Sequence, residues 1–370
     1  MGRVLAIIER DVRKFMRSPT LILVSMFFPL VQLVILGYAF GGKIQNLSVG
    51  VVDQDRALQT VKLREMFGAV AANARTFTTV EYSDLQQAMT DLRNGKINAV
   101  LNIPPGFSRR VLSKNVPEIA LIEDNTDNFS VSALQGTMVE LLNAFNRGGV
   151  QPRVGSDATL SVVEIYPYVP YIQYLLPGSI VLAIFVSAMI GGGIIFIDDK
   201  ARGLHEGYLV TPITKFELIL GFNLSGALKA FLSGLVLTTL GSLIAGIPNP
   251  LEPVRLLKLL LVIAATALAL ISMMFLMMVR VSDPLVPRAT FGVLNTLLYF
   301  PSGAVYPVYG FPKWMRILSA VDPFTYAVDA FKNLLLKNTP TIAIVGDLAF
   351  LLVFAAVMLF LATALFRRTL

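Results

Sequence analysis

Six long apolar runs dominate this chain and limit the folds that are open to it. A helix of about 20 residues is long enough to cross a bilayer core of roughly 30 Å. The runs lie at 20–40, 174–197, 218–246, 256–280, 286–309 and 344–366. The mean hydropathy of +0.68 also exceeds that of ordinary soluble chains. The sequence therefore predicts an α-helical polytopic membrane protein with six transmembrane helices.

The first transmembrane helix, predicted at 20–42, follows a basic segment over residues 1–19. In that segment apolar side chains recur at steps of three and four residues, which is typical of a cytoplasmic amphipathic helix in the membrane interface. A cytoplasmic extension of the first span explains the pattern equally well. The apolar face is Val4, Ile8, Val12, Phe15 and Met16. The following run is too long for a signal-peptide core, so we interpret it as an uncleaved anchor.

The distribution of Lys and Arg predicts the orientation of the spans, because short cytoplasmic loops carry an excess of these residues. Twelve lie in the N-terminal segment, the 198–217 loop, the loop near residue 281 and the C-terminal tail, whereas six lie on the opposite side. Both termini are therefore predicted to be cytoplasmic. Segment 43–170 is then extracytoplasmic.

Segment 43–170 resembles a folded domain more than a loop. Stretches typical of strands and of helices alternate along it, which predicts an α/β domain inserted between the first two spans. Acidic and basic residues nearly balance there, so the net charge of +7 belongs to the membrane part. Such a charge suits anionic lipid head groups, and we do not interpret it as nucleic-acid binding.

The sequence offers no constellation for catalysis or metal binding. It has no cysteine and one histidine, His205, which excludes a zinc site built from two histidines. The nearest approach to a phosphate-binding loop, GFNLSGALK at 221–229, has no lysine directly after its second glycine. We therefore predict no catalytic residues, no metal and no cofactor bound by this chain.

Lys229 lies near the middle of the third predicted span and is a membrane-embedded charge. An ammonium group is costly in a bilayer and usually faces a polar cavity, a partner or water. If the span begins later in the chain, the side chain snorkels to the interface instead. Both alternatives stay open. Gly191 to Gly193 lie in the second span, where small residues favour close helix packing.

The charged stretch between the second and third spans carries a family resemblance. RGLHEGYLVTPITKFELILG is similar to the cytoplasmic loop of ABC-2 type transporter permeases, in which E-x-G, a hydrophobic pair, T-P-[IL]-[ST] and a Glu precede the third span. The match continues through Ile213, Thr214, Leu220 and Gly221, the last of which stands at the entry to the third span. The residues that the resemblance assigns to ATPase coupling are Arg202, Glu206, Gly207, Leu209, Thr211, Pro212 and Glu217. A second match is PSGAVYPVYGFPKWMRILSAVDPFTYAVDAFKN at 301–333, which resembles the outer end of the fifth span in this family. A third is INAVLNIPPGFS, which is similar to a stretch in members that have a large outer domain.

The resemblance implies an ATP-driven exporter whose permease subunit is not itself an enzyme. Cognate ABC ATPase subunits, which bind ATP and Mg²⁺, would dock on the coupling loop at 198–217, and a second permease copy would complete a homodimer. The expected location is a bacterial or archaeal cytoplasmic (inner) membrane. The alternative is a membrane receptor or mechanotransmission subunit that transports nothing, whose outer domain binds a periplasmic or surface partner.

Within the five-helix region 171–370, segment 301–335 is predicted to be a re-entrant outer segment of short helices, because prolines interrupt it. A surface loop with amphipathic helices is the alternative. The outer-gate residues are Pro301, Gly303, Pro307, Trp314 and Pro323. Candidate pathway-lining residues are Phe185, Met189, Phe291, Leu294 and Tyr299, which could equally face lipid or neighbouring helices. Their character suggests a lipophilic or amphiphilic substrate, a drug or a lipid, with ion export left open.

Overall fold

The computed structural model describes residues 2–41, 46–74, 76–113, 115–123, 128–147, 169–203, 211, 213–250, 252–281, 285–337 and 341–366. The chain forms two compact units. The first combines Met1–Gly41 with Glu164–Leu370, and we call it the membrane unit. The second, Gly42–Val163, is the inserted unit.

The membrane unit begins with two helices that a short turn separates. Helix α1 (Gly2–Met16) is amphipathic, and helix α2 (Pro19–Gly41) is apolar nearly all round. Between them, the backbone N–H of Ser18 donates to the carbonyl of Phe15 at 2.9 Å. The N–H of Leu21 then donates to the carbonyl of Ser18 at 3.0 Å. These bonds join the two helices without a free linker.

The inserted unit is built on one four-stranded sheet with helices between its strands. The strands are β1 (Leu47–Asp53), β2 (Phe77–Tyr82), β3 (Ala99–Ile103) and β4 (Ala120–Glu123). The helices are α3 (Leu58–Ala74), α4 (Leu85–Arg93), α5 (Phe107–Leu112) and α6 (Asn128–Arg147). The sheet order is β2-β1-β3-β4; β1 is parallel to β2 and β3, and β4 is antiparallel to β3.

Both faces of this sheet are covered, which explains why its central strands are apolar almost throughout. One core contains Val49 and Leu101 of the sheet together with Phe67 of α3 and Leu134 of α6. The other contains Val52 and Val100, which pack against α4. Residues of β1 and β3 thus alternate between two cores, as side chains on a strand point to opposite faces in turn.

Helices also make up most of the described remainder of the membrane unit. They are α7 (Tyr171–Ala188), α8 (Ile195–Ala201), α9 (Lys215–Ala245), α10 (Pro253–Met278), α11 (Leu285–Tyr299), α12 (Lys313–Val321), α13 (Pro323–Leu335) and α14 (Val345–Leu365). A π-helical segment, Met189–Ile194, joins α7 to α8, and 3₁₀ turns lie at Val308–Gly310 and Thr341–Ile344.

Among the described residues, five helices are long and apolar enough to cross a membrane. They are Pro19–Ala39, Tyr171–Asp199, Lys215–Ala245, Pro253–Met278 and Thr341–Leu365. These agree with five of the six predicted spans to within a few residues, and the chain is a largely helical polytopic membrane protein.

The remaining prediction, one continuous helix over 286–309, is wrong. Helix α11 has 15 residues and ends at Tyr299, so it is only about 22 Å long. Turns follow at once, because Pro301 has no backbone N–H to continue the ladder and Gly303 adopts a left-handed conformation with φ of +82°.

The core of the membrane unit surrounds α7, in which every residue from Leu175 to Ala188 is buried. A helix that is apolar all round requires this environment, since it has no polar face to offer. Glycines allow its neighbours to come close. A Cβ atom added to Gly226 of α9 would lie 3.4 Å from the Cα atom of Gly192 and 2.6 Å from Cδ1 of Ile271. The prediction that the glycines of the second span serve helix packing agrees with this geometry.

Candidate coupling site

A buried ion pair joins α1 to the middle of α9. The Nζ atom of Lys229 lies 2.9 Å from Oδ2 of Asp11, and each side chain is 1% exposed. The same carboxylate oxygen accepts a hydrogen bond of 3.1 Å from the hydroxyl of Ser225. Lys229 also donates to the carbonyl of Gly191 in the π-helical segment. The structure therefore favours a buried partner for Lys229 over snorkelling to the interface.

A second ionic contact joins α1 to the end of α8. The carboxylate of Asp199 is buried and accepts from Nη2 of Arg10 at 2.9 Å and from Nζ of Lys14 at 2.5 Å. Both cations lie on α1, one turn apart. Asp199 is the second residue of the coupling loop (198–217), so this contact holds α1 against the start of that loop.

A third contact lies at the other end of the coupling loop. Thr214 is the N-cap of α9, and its hydroxyl accepts from the N–H of Glu217 at 3.2 Å. The Glu217 side chain accepts in return from the N–H of Thr214 at 2.8 Å, which completes a capping box. Nη1 of Arg3 lies 3.7 Å from Oε2 of Glu217. Helix α1 thus contacts both ends of the coupling loop.

Small residues make this approach possible. A Cβ atom on Gly221 of α9 would lie 3.0 Å from Cδ1 of Ile7 on α1. On Gly191, it would lie 2.9 Å from Cδ of Lys229. Larger side chains would hold α1 and the Lys229 stem away from their partners. Gly221, the glycine at the entry to the third span in the family pattern, therefore provides the space in which Ile7 of α1 packs.

The buried face of α1 overlaps the predicted apolar face only in part: Phe15 belongs to both, and Val4, Ile8 and Val12 are half-buried. Ile7, Asp11 and Phe15 are buried, whereas Met16 is 60% exposed. The reason is that pairing of Asp11 with Lys229 rotates an acidic residue inward. The sequence analysis did not identify Asp11 or Asp199. For Asp11 a signal was present, because it lies four positions from both Ile7 and Phe15 and so on the same face of the helix.

Four of the seven predicted coupling residues, Glu206, Gly207, Leu209 and Pro212, lie outside the described residues. Arg202 is exposed in the turn after α8, Thr211 is half-buried, and Glu217 occupies the first turn of α9. The docking role of these residues stays a prediction.

The predicted outer-gate residues lie where short helices replace a long one. Pro301 and Gly303 are buried, Pro323 begins α13, and Trp314 on α12 is 64% exposed. The hydroxyl of Ser319 donates to the carbonyl of Pro301 at 2.6 Å, which holds α12 against this turn. Gly303 and Pro307 line a cavity of about 530 Å³, and the other three gate residues do not.

The five candidate pathway residues belong to the packed interior or its edge. Phe185, Phe291 and Tyr299 are buried, and the ring of Phe185 lies 5.2 Å from that of Phe324. Met189 and Leu294 are partly buried against the same core. None of the five lines the cavity beside Gly303. Their role as pathway lining stays a prediction.

Comparison with known proteins assigns a family to the chain in which this arrangement of α1, α8 and α9 is found. The model of the ABC-2 family transporter proteins matches residues 19–364. The chain belongs to the ABC-2 transporter family. Membership implies that it works with an ABC ATPase subunit, and it fits an inner-membrane, multi-pass location.

Individual relatives of this ABC-2 chain are distant but extend over nearly all of it. It is 20% identical to the probable multidrug ABC transporter permease YbhR of Escherichia coli K12, over 99% of this chain and 98% of the relative. It is 22% identical to YbhS of the same organism, over 95% and 93%. ABC transporter G family member 20 of Dictyostelium discoideum is 23% identical over 90% of this chain and 46% of its own length. No solved structure matches significantly.

Proposed function

We propose that this chain is the transmembrane permease subunit of an ATP-driven exporter, and that it moves a lipophilic or amphiphilic small molecule out of the cytoplasm or the inner leaflet. The observation that carries the proposal is the position of α1, which is ion-paired to Asp199 at the start of the coupling loop and to Glu217 at its end. The multidrug names of the E. coli relatives support a drug as the substrate.

In this proposal a partner ATPase, which binds ATP and Mg²⁺, docks on the loop between α8 and α9. Movement of the loop shifts the two helices that flank it. Because α1 is bound to both flanks, it moves with them and passes the displacement through the Ser18 turn to α2. Such coupling is a free energy between two sites, so substrate should also alter the ATPase rate.

The π-helical segment is the place where the second span can adjust. Segments of this type interrupt regular α-helix and frequently lie at functional sites. Here the carbonyl of Gly191 accepts from Lys229, so a shift of α9 relative to α7 changes a polar contact inside the core. We infer that this contact reports the state of the coupling loop to the interior of the unit.

The proposed topology places both termini in the cytoplasm and the inserted unit outside the cell membrane. Helix α11 then enters the membrane as a sixth, shorter element, and α12 and α13 form the re-entrant outer segment. The apolar face of α2 is exposed in a single copy and faces lipid or a second permease copy. Its exposed side chains are Leu23, Val24, Phe27, Phe28, Ile35 and Tyr38.

The test is reconstitution with the cognate ATPase subunit in lipid vesicles, with ATP hydrolysis and substrate movement measured together. Asp199→Asn should keep the complex but uncouple it, because it removes the buried anion that holds α1 to α8. Arg13→Gln is the matched control, since the Arg13 side chain is 71% exposed and pairs with Glu9 on its own helix. Coupled hydrolysis without movement of any substrate would favour the receptor alternative.

A further inference from the structure

The cavity of about 530 Å³ beside Gly303 is formed within the membrane unit. It lies between the start of α7, the turns at 302–309 and helix α13. Its walls are mainly apolar and aromatic, and they include Tyr174, Pro307, Tyr309 and Val328. Cavities of this size with apolar walls and a few polar groups are typical small-molecule sites.

One cation dominates the polar part of this cavity. The Nζ atom of Lys332 donates to the carbonyl of Gly303 at 2.5 Å and lies 3.9 Å from the centroid of the Tyr174 ring. Both partners are uncharged. Within the described residues, Lys332 forms no ion pair with a carboxylate. A cation held by a carbonyl and an aromatic face keeps its charge available to a third group.

The other charges at the cavity leave it positive. Lys337 also lines the cavity, and Asp329 is the one lining carboxylate among the described residues. The carboxylate of Asp329 accepts from Nδ2 of Asn333 at 3.2 Å and is exposed. The lining therefore combines one partly buried ammonium, a second cation and an apolar wall.

We propose that this cavity binds an amphiphilic anion, with its acidic group on Lys332 and its apolar body against Tyr174 and Val328. A charge-assisted contact to Lys332 would orient the ligand, and burial of its apolar part would supply most of the affinity. If the chain is the exporter proposed above, the anion that binds here belongs to the class of molecules that it transports, so this part of the assignment rests on the proposed function. Binding is testable without transport.

The experiment measures binding of a dansyl-labelled undecanoate to the full-length permease in phosphatidylcholine nanodiscs. Lys332→Met should weaken binding about tenfold or more, because it keeps the length of the side chain and removes its charge. Lys313→Met, at the start of α12 and outside the lining, should change binding by less than about twofold. The uncharged amide of the same probe should bind weakly to all three proteins.

A second variant guards against loss of the fold in Lys332→Met. Lys332→Arg keeps a positive charge at this position, so it should retain most of the binding of the anion, and retention shows that the loss in Lys332→Met comes from the missing charge. Equal affinity in wild type and Lys332→Met, an equal loss of binding in Lys332→Arg and Lys332→Met, or equal affinity for the anion and its amide would overturn the assignment.

Two sources of the anion are separable in the same assay. If phosphatidylglycerol in the nanodisc displaces the probe only when Lys332 is present, the occupant is a lipid with an anionic head group. If it does not, the occupant is a soluble amphiphile; both outcomes support an anion site. If the probe does not bind, the anion site is refuted but the exporter proposal is not. If the probe binds but no substrate is transported in vesicles, the anion site stands and the exporter proposal is refuted.

Discussion

Lys229 and Asp11 form an ion pair of 2.9 Å between residues that stand 218 positions apart. Neither charge has appreciable contact with solvent. An isolated charge in this position would be too costly to retain, and each residue makes the other tolerable. The pair therefore holds an N-terminal amphipathic helix against the third span, between the two flanks of the coupling loop.

We expect single substitutions at this pair to be strongly destabilising. Lys229→Met or Asp11→Asn leaves one buried charge unpaired, which typically costs about 3–5 kcal/mol. The double variant should lose much less than the sum of the two, because no unpaired charge remains. Denaturant unfolding of the detergent-solubilised permease measures this. Arg13→Ala, in an exposed pair on the same helix, should change stability by less than about 0.5 kcal/mol. Additive losses in the double variant would contradict a direct pair.

Loss of the Asp199 anion should release α1 locally without unfolding the protein. In Asp199→Asn, Lys14 and Arg10 lose the anion that they share, and Arg10 keeps only a longer contact of 3.9 Å to Oδ1 of Asp11 on its own helix. Backbone amides of α1 should therefore exchange with solvent about tenfold faster, which corresponds to a loss of about 1.4 kcal/mol in protection. Hydrogen exchange read by mass spectrometry measures the change. Glu9→Gln, at an exposed site on α1, is the control. Identical exchange of α1 in Asp199→Asn and wild type would show that this contact does not hold the helix.

The capping box at the start of α9 predicts a specific order among substitutions at Thr214. Thr214→Ala removes the oxygen that accepts from the N–H of Glu217, at a cost of about 0.5–2 kcal/mol. Thr214→Ser keeps that oxygen and should stay close to wild type. Thermal unfolding gives the stabilities, and permease-dependent ATP hydrolysis gives the coupling. Equal effects of the serine and alanine variants would exclude a capping role.

The close approach of the second span and the fourth span (α10) predicts that one substitution will rescue another. In Gly192→Ala, the new methyl group meets Cδ1 of Ile271, and overpacking of this kind costs about 1–3 kcal/mol. Ile271→Val removes Cδ1, so the double variant should recover most of the loss. Unfolding midpoints measure it. Gly292→Ala on α11 has no atom within 4 Å of the added Cβ and should be neutral or stabilising. If Ile271→Val does not restore stability, the contact between the new methyl group and Ile271 is not the cause of the loss.

Gly303 predicts a link between backbone conformation and the outer cavity. Its φ of +82° disfavours any side chain, and a Cβ would lie 2.9 Å from Cγ2 of Val308. Gly303→Ala should therefore destabilise the protein by about 1–3 kcal/mol and weaken binding of the undecanoate probe, because the Gly303 carbonyl positions Lys332. Gly346→Ala, where the added Cβ meets nothing within 4 Å, is the control. If the affinity for the probe is unchanged in Gly303→Ala, the position of the Gly303 carbonyl does not matter for binding.

Much of the membrane unit follows from local sequence. A run of about 20 apolar residues has little alternative to a membrane helix, since its backbone must satisfy its own hydrogen bonds in lipid. The five long helices were predictable for this reason. Alternation of strands and helices likewise predicted the elements of the inserted unit. The break after Tyr299 was less visible, because the apolar composition continues past it while Pro301 and Gly303 end the helix.

The pairing of the charges did not follow from local sequence. The residues next to Asp11 in the sequence do not indicate that Lys229 is its partner. The apolar periodicity of α1 alone predicts a face that coincides only in part with the buried one. The energy of a buried charge depends on what lies within a few ångströms, and those neighbours come from distant parts of the chain. Hydropathy and spacing therefore determine which segments are helices. Packing of α1 against α8 and α9 decides which face is buried, which charges meet and how the two flanks of the coupling loop are joined.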